Sequence, residues 1–94
     1  MVNKNILKIR KQLDKLDESF LNLIKKRTSL VALVLKNKKY KKDIIDKKRI
    51  SIILRNIKKK SRKKNIDHII TNKIWTSMIK AYIDYEYRNF KSKK

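Results

Sequence analysis

Steps of three and four residues along the first part of the chain read Ile6, Ile9, Leu13, Leu16, Phe20, Leu23, Arg27, Leu30, Val34, Lys38. That spacing is one face of a single long helix, sustained for about nine turns. A second apolar set, Leu7, Leu21, Ile24, Val31 and Leu35, widens the stripe beyond a simple two-stranded seam. A helix of this length spans roughly 50 Å at 1.5 Å per residue. One small domain cannot cover it, so part of it is expected to pack against another copy of the chain. Arginine stands at position 27, where leucine is expected. A cation in an apolar seam is costly unless something negative meets it.

The remainder of the chain also reads as helix. There is no Gly and no Pro among 94 residues, so tight reversals with positive φ have little support and strands joined by short hairpins are not expected. The pattern predicts three helices over about 4–38, 46–60 and 67–90, in one all-α domain covering 1–94. Asp14, Asp17 and Glu18 fall on the polar side of the first helix, within reach of Lys11 and Lys15. Asp43 or Asp46 is a candidate N-cap for the second helix, whose Ile50, Ile53, Leu54 and Ile57 share one side. The third starts near Asp67 and carries Ile70, Ile74, Trp75, Met78, Ile79, Tyr82 and Ile83.

Charge and composition limit the partners. Twenty-nine Lys and Arg against 8 Asp and Glu give a net charge of +21, which points to nucleic acid, an anionic membrane or an acidic small molecule. Most of the excess lies in the runs 38–42, 58–64 and 91–94, away from the apolar stripes, and reads as solvated surface. No zipper-plus-basic-region or helix-turn-helix spacing appears, so a nucleic acid partner is not expected, although Tyr82, Tyr85, Tyr87 and Phe90 are interleaved with basic residues. With no cysteine, disulfides, thiolate nucleophiles and zinc-finger frameworks are excluded. Neither a signal-like apolar core after Met1 nor a run of membrane-spanning length is present, and a cytoplasmic protein without a membrane partner is expected.

Four polar residues draw attention by their register. Arg27 and Lys38 are eleven residues apart, three turns plus roughly 20°, so on a continuous helix they share a face about 16 Å apart along the axis. Their long side chains can then converge on one anionic ligand; the structural alternative for Arg27 is an ion pair with a carboxylate from another helix. Arg10 is rotated from Arg27 by roughly 100° and can reach the same pocket only from a partner's helix. Glu86 continues the face of Trp75, Ile79 and Tyr82. A carboxyl there either pairs with a cation or stays protonated in an apolar pocket, and pattern alone favours a salt bridge to Arg27 or Arg49. His68 is a lone histidine with no second ligand at helical spacing, so neither metal binding nor triad chemistry is expected.

Taken together, these residues resemble a known family. The run from Ile9-Arg10 through Leu13-Asp14-Lys15-Leu16-Asp17 to Leu23-Ile24, Arg27 and Lys38 is similar to the first helix of the all-helical (AroQ-class) chorismate mutases. Asp46-Lys47-Lys48-Arg49 resembles that family's Asp-x-x-Arg start of the second helix, and Ile74-Trp75, Met78-Ile79 and Glu86 resemble its third. The resemblance implies an intertwined homodimeric helical bundle with two active sites, each receiving Arg10 from the partner and Arg27, Lys38 and Arg49 from its own chain. It implies the Claisen rearrangement of the dicarboxylate chorismate to prephenate, for phenylalanine and tyrosine biosynthesis, without covalent catalysis, metal or cofactor. By the same resemblance Arg10 and Arg27 bind the substrate carboxylates with Arg49 and Asp46 beside them, and Lys38 and Glu86 point donors at the ether oxygen. Arginine suits the first role because its planar fork matches a carboxylate.

Three positions depart from the family's commonest pattern. Glutamine is usual where Glu86 stands, and a glutamate donates a hydrogen bond only when protonated. Ile50 follows Arg49 where the mutases usually carry a Glu that binds the substrate hydroxyl, and Tyr82 stands where a small Ser is common. The last two changes resemble isochorismate pyruvate lyases, which share the fold and the basic residues and form salicylate. Chorismate is the expected substrate, isochorismate the alternative. The non-enzymatic rivals are a basic helical nucleic-acid-binding module and a purely structural coiled coil.

Overall fold

A computed structural model describes residues 3–91; the first two residues and positions 92–94, the last three of the basic run 91–94, lie outside them. The order of elements is α1, Lys4–Lys36; a short 3₁₀ turn, Lys41–Asp43; α2, Lys47–Lys63; and α3, His68–Asn89. The fold is all-α with the three expected helices, and the described residues include no strand. The chain falls into two compact units, Met1–Val31 and Ala32–Lys94.

The first unit is helix throughout its described length after Asn3, which acts as its N-cap: the side-chain Oδ1 accepts from Asn5 N at 2.7 Å and the carbonyl from Leu7 N at 3.1 Å. Its apolar stripe stands in the open. Leu16, Leu23 and Leu30 are 62, 61 and 62 % exposed, and Ile6, Ile9, Leu13 and Phe20 are exposed with them. Scattered surface leucines need no explanation, but a continuous stripe over this length marks an interaction face. Arg27 interrupts the exposed stripe and is half-buried, with its Nε atom fully buried.

In the second unit α2 and α3 pack on each other. Ile50, Ile53, Leu54 and Ile57 of α2 are half-buried, as are Trp75, Met78, Ile79, Tyr82 and Ile83 of α3. These are the faces set by the 3.6-residue period. Leu35 and Ile44 are the buried apolar residues among those described. Ser61 is the polar bridge between the helices: its hydroxyl reaches Ile57 O at 2.7 Å and shares a hydrogen bond of 2.8 Å with the Thr71 hydroxyl. The hydroxyl is thereby satisfied despite being buried.

The helix ends differ from the sequence expectation, and side chains explain why. α1 stops at Lys36, not Lys38. Asn37 N and Lys38 N bond back to Val34 O and Leu35 O, three residues behind each, at 3.0 and 3.1 Å, and the Asn37 amide donates to Leu33 O at 2.9 Å. That tightened turn closes the last carbonyls and ends the helix. A projection at 100° per residue therefore does not extend to Lys38. α2 runs on to Lys63, past the expected end near 60. Asn65 adopts φ 56°, and Ile66 N and Asn65 N bond to Ser61 O and Arg62 O at 2.8 and 3.2 Å. This pairing is a Schellman cap with Asn in the left-handed position that Gly usually takes. Among the described residues, a chain without glycine thus makes one positive-φ reversal after all. Asp67 then caps α3, accepting from Ile69 N at 2.9 Å.

Candidate active site

Glu86 is buried on the inner face of α3. Its Oε1 accepts from Lys38 Nζ at 2.9 Å. The pair is well withdrawn from water, with side-chain exposures of 18 % for Lys38 and 8 % for Glu86. The cation found opposite Glu86 is thus Lys38, whereas the sequence pattern pointed to Arg27 or Arg49. The same ammonium also donates to Ile44 O at 3.2 Å. An ammonium has three N–H donors; a carboxylate and a carbonyl take two of them.

The second unit also carries an apolar depression and a pair of aromatic rings. Ile50, Leu54, Thr76, Ile79, Lys80 and Ile83 line an open depression of ≈ 220 Å³ between α2 and α3. Ile50 is half-buried in it, so the position after Arg49 presents hydrocarbon where a carboxylate is usual. Glu86 lies three residues past Ile83 and four past Tyr82, one turn further along the same side of α3. Tyr82 meets Tyr85 edge to face, with ring centroids 6.4 Å apart and planes at 83°. His68 lies eighteen residues before Glu86, about 27 Å along the α3 axis. It borders a separate cavity with Leu54, Ile57, Lys58, Thr71 and Asn72.

The basic residues are distributed as follows. Arg49 is exposed in the first turn of α2, where its N–H donates to Asp46 Oδ1 at 3.0 Å. Asp46, also exposed, is therefore the N-cap of α2, one of the two caps expected from the sequence. The other, Asp43, accepts from Tyr40 N at 3.2 Å and shapes the 3₁₀ turn instead. In the first unit, Arg10 is exposed and Arg27 half-buried. The structure brings together Lys38 with Glu86 and Asp46 with Arg49. Ile44, which the sequence reading did not single out, enters through its carbonyl. No side-chain pattern signals such a contact; only its place in a short loop six residues after Lys38 hints at it.

Chemically, a partly buried ammonium with one N–H to spare can donate to an anionic or ether oxygen, strengthened by the low local dielectric. The carboxyl beside it offers an acceptor when ionised and a second donor when protonated. These features define an all-helical chain that carries a hydrogen-bonded ammonium–carboxyl pair withdrawn from water. A family model for chorismate mutase type II matches residues 9–87, most of the chain, and the chain belongs to that family. Membership indicates an isomerase and supports chorismate mutase activity in broad terms, with chorismate as the implied substrate. No curated protein and no solved structure matched the chain. Among the described residues, no helix is long and apolar enough to cross a membrane.

The Asp46 cap separates a structural from a charge-based role for that residue. Asp46→Ala is expected to lower the unfolding free energy by about 1 kcal/mol, and Asp46→Asn by no more than a few tenths, since Asn caps equally well. Urea denaturation measures both, and equal losses would show that the negative charge matters rather than the cap.

Proposed function

We propose that the chain is a chorismate mutase that converts chorismate to prephenate as an intertwined homodimer in the cytoplasm, its whole length forming one catalytic domain. The observation that carries this reading is the Lys38–Glu86 contact at 2.9 Å, an ammonium donor held by a carboxyl acceptor and withdrawn from water in a chain of this family. In the rearrangement an ether C–O bond breaks as a C–C bond forms within one molecule, and negative charge develops on the ether oxygen. Arg27 and Arg49, with Arg10 from the partner chain, bind the two carboxylates and select the compact conformer in which the reacting carbons meet. Asp46, beside Arg49, lines the same site. Lys38 donates to the ether oxygen with the N–H that Ile44 and Glu86 leave over. Glu86 holds the Lys38 ammonium, and its carboxyl is a second donor only in its protonated form.

The exposed apolar stripe of the first unit supports the dimer. Each leucine covered by a partner contributes about 1.5–3 kcal/mol, and Ile69 and Ile70 of α3 are likewise exposed. A second reading, isochorismate pyruvate lyase, is favoured by one observation: Ile50 lines an apolar depression, offering hydrocarbon where a hydroxyl-binding glutamate is usual, while Tyr82 fills a place where Ser is common. In that reaction the same C–O bond breaks and a ring hydrogen moves to the leaving group, giving salicylate and pyruvate.

Incubating the purified protein with chorismate, and separately with isochorismate, distinguishes the readings. Prephenate from chorismate is expected; salicylate with pyruvate, and no prephenate, assigns the lyase. Absence of both, with duplex DNA affinity that falls steeply with salt, assigns a binding module instead. The donor at position 86 makes a further demand: Glu86→Gln, whose amide always carries a donor, should keep turnover, and Glu86→Ala should lower kcat at least about tenfold; equal turnover in all three proteins refutes the donor role. For assembly, sedimentation equilibrium should return a dimer for the wild type and a less stable monomer for Leu23→Glu. A wild-type monomer at micromolar concentration overturns the intertwined arrangement.

A further inference from the structure

We infer that the loop over 37–46 is a positioning strap for the Lys38 ammonium, and that Ile44 is the residue that sets it. The inference deepens the reading of Lys38 as donor to the ether oxygen and rests on it. A lysine stem has four rotatable carbons and its ammonium three equivalent donors; by itself it does not aim. A useful donor must be held within roughly 0.5 Å and 10–20° of its working geometry.

Ile44 provides that hold. It is 2 % exposed, whereas 39–43 before it and 45–49 after it are all exposed. One side chain thus anchors the loop. The backbone of Ile44 is helical, with φ −63° and ψ −44°, and its N–H is tied to Lys41 O at 3.2 Å. With the side chain buried and the N–H engaged, the carbonyl direction is fixed, and it meets Lys38 Nζ at 3.2 Å. Glu86 meets the same nitrogen at 2.9 Å from α3. Because an ammonium is tetrahedral, two fixed acceptors restrict where the third N–H can point. The donor is therefore aimed before substrate arrives.

Two contacts keep the strap in shape. The Asp43 carboxylate accepts from Tyr40 N at 3.2 Å, closing the turn. Lys41 Nζ stands 5.8 Å from the centroid of the Tyr87 ring, within cation–π range. Tyr87 directly follows Glu86, so the loop is tied to the same turn of α3 that carries the carboxylate. Ile44 and Tyr87 are positioning residues: they act through Lys38 and need not touch the substrate.

The test uses the full-length chain, steady-state kinetics with chorismate, and NMR of the lysine ammonium groups. Ile44→Ala should lower kcat about tenfold or more with KM within about threefold, because aim is lost and carboxylate binding is kept. Ile44→Val, which keeps the burial, should recover most of kcat. The exposed Tyr87 supplies a variant that does not perturb the core: Tyr87→Ala should lower kcat by a few-fold, and Tyr87→Phe, which retains the ring, should not. A folded Ile44→Ala with unchanged kcat, or with a raised KM alone, overturns the strap. If Ile44→Ala does not fold, equal kcat in Tyr87→Ala and Tyr87→Phe overturns it. Wild-type protein without turnover defeats the functional reading instead. The strap is then judged on the Lys38 ammonium resonance, assigned by its loss in Lys38→Arg: protection from water exchange that disappears in Tyr87→Ala supports it, and no change refutes it.

Discussion

The hydrogen-bonded ion pair between Lys38 and Glu86 is the polar contact that ties the loop after α1 to α3 in the second unit. Removing two opposite charges from water costs several kcal/mol per ion, and their attraction offsets this only when geometry and further hydrogen bonds are good. At 2.9 Å, with Ile44 O as a second acceptor for the ammonium, those conditions are met. The pair joins the end of the first helix to the far end of the third, 48 residues away in sequence. α1 stops at Lys36, which leaves Lys38 in a loop whose Ile44 carbonyl accepts from its ammonium.

Around that pair, charge is sorted with little compromise. A net charge of +21 makes a buried anion easy to neutralise, and Glu86 is the buried acid among the described residues. The remaining lysines crowd the solvent side, most densely over 58–64, where only Ser61 is buried. Basic residues also end α2, which suits the negative end of its dipole. The apolar stripe of residues 6–30 carries the opposite message. It is too continuous to be idle surface, and with leucines more than half exposed it calls for a partner. The proposed homodimer would cover that stripe, and Arg10 is exposed on the same helix.

Helix identity was written in the sequence because a 3.6-residue period leaves its mark wherever one face is apolar; the apolar residues that pattern chose are half-buried in α2 and α3, except Ile70 and Ile74, which stand exposed near the start of α3. Helix ends were less legible. They depend on Asn37 folding back onto Leu33 O and on Asn65 accepting a left-handed backbone, both choices that short amides make only in context. Asp67 is different, since its capping role follows from its position alone. At the site, Glu86 stood out as a carboxyl on an apolar face, but residue spacing pointed it at Arg27 or Arg49, and only the family resemblance put Lys38 beside it. Helical register does not reach Lys38, because the chain leaves the helix two residues earlier. Ile44 was invisible for a deeper reason: it contributes a carbonyl, which every residue has, and its burial is decided by packing.

The central claim is that the Lys38–Glu86 pair is kept for chemistry and not for stability. Its most direct test is a comparison of unfolding free energy and chorismate turnover in the Lys38→Met, Glu86→Met double variant. Replacing both charges with apolar chains of similar volume removes two desolvation penalties at once. The account predicts a double variant at least as stable as the wild type, more stable than either single variant, and without measurable turnover. A double variant that loses several kcal/mol of stability, or one that still turns over chorismate at the wild-type rate, contradicts it.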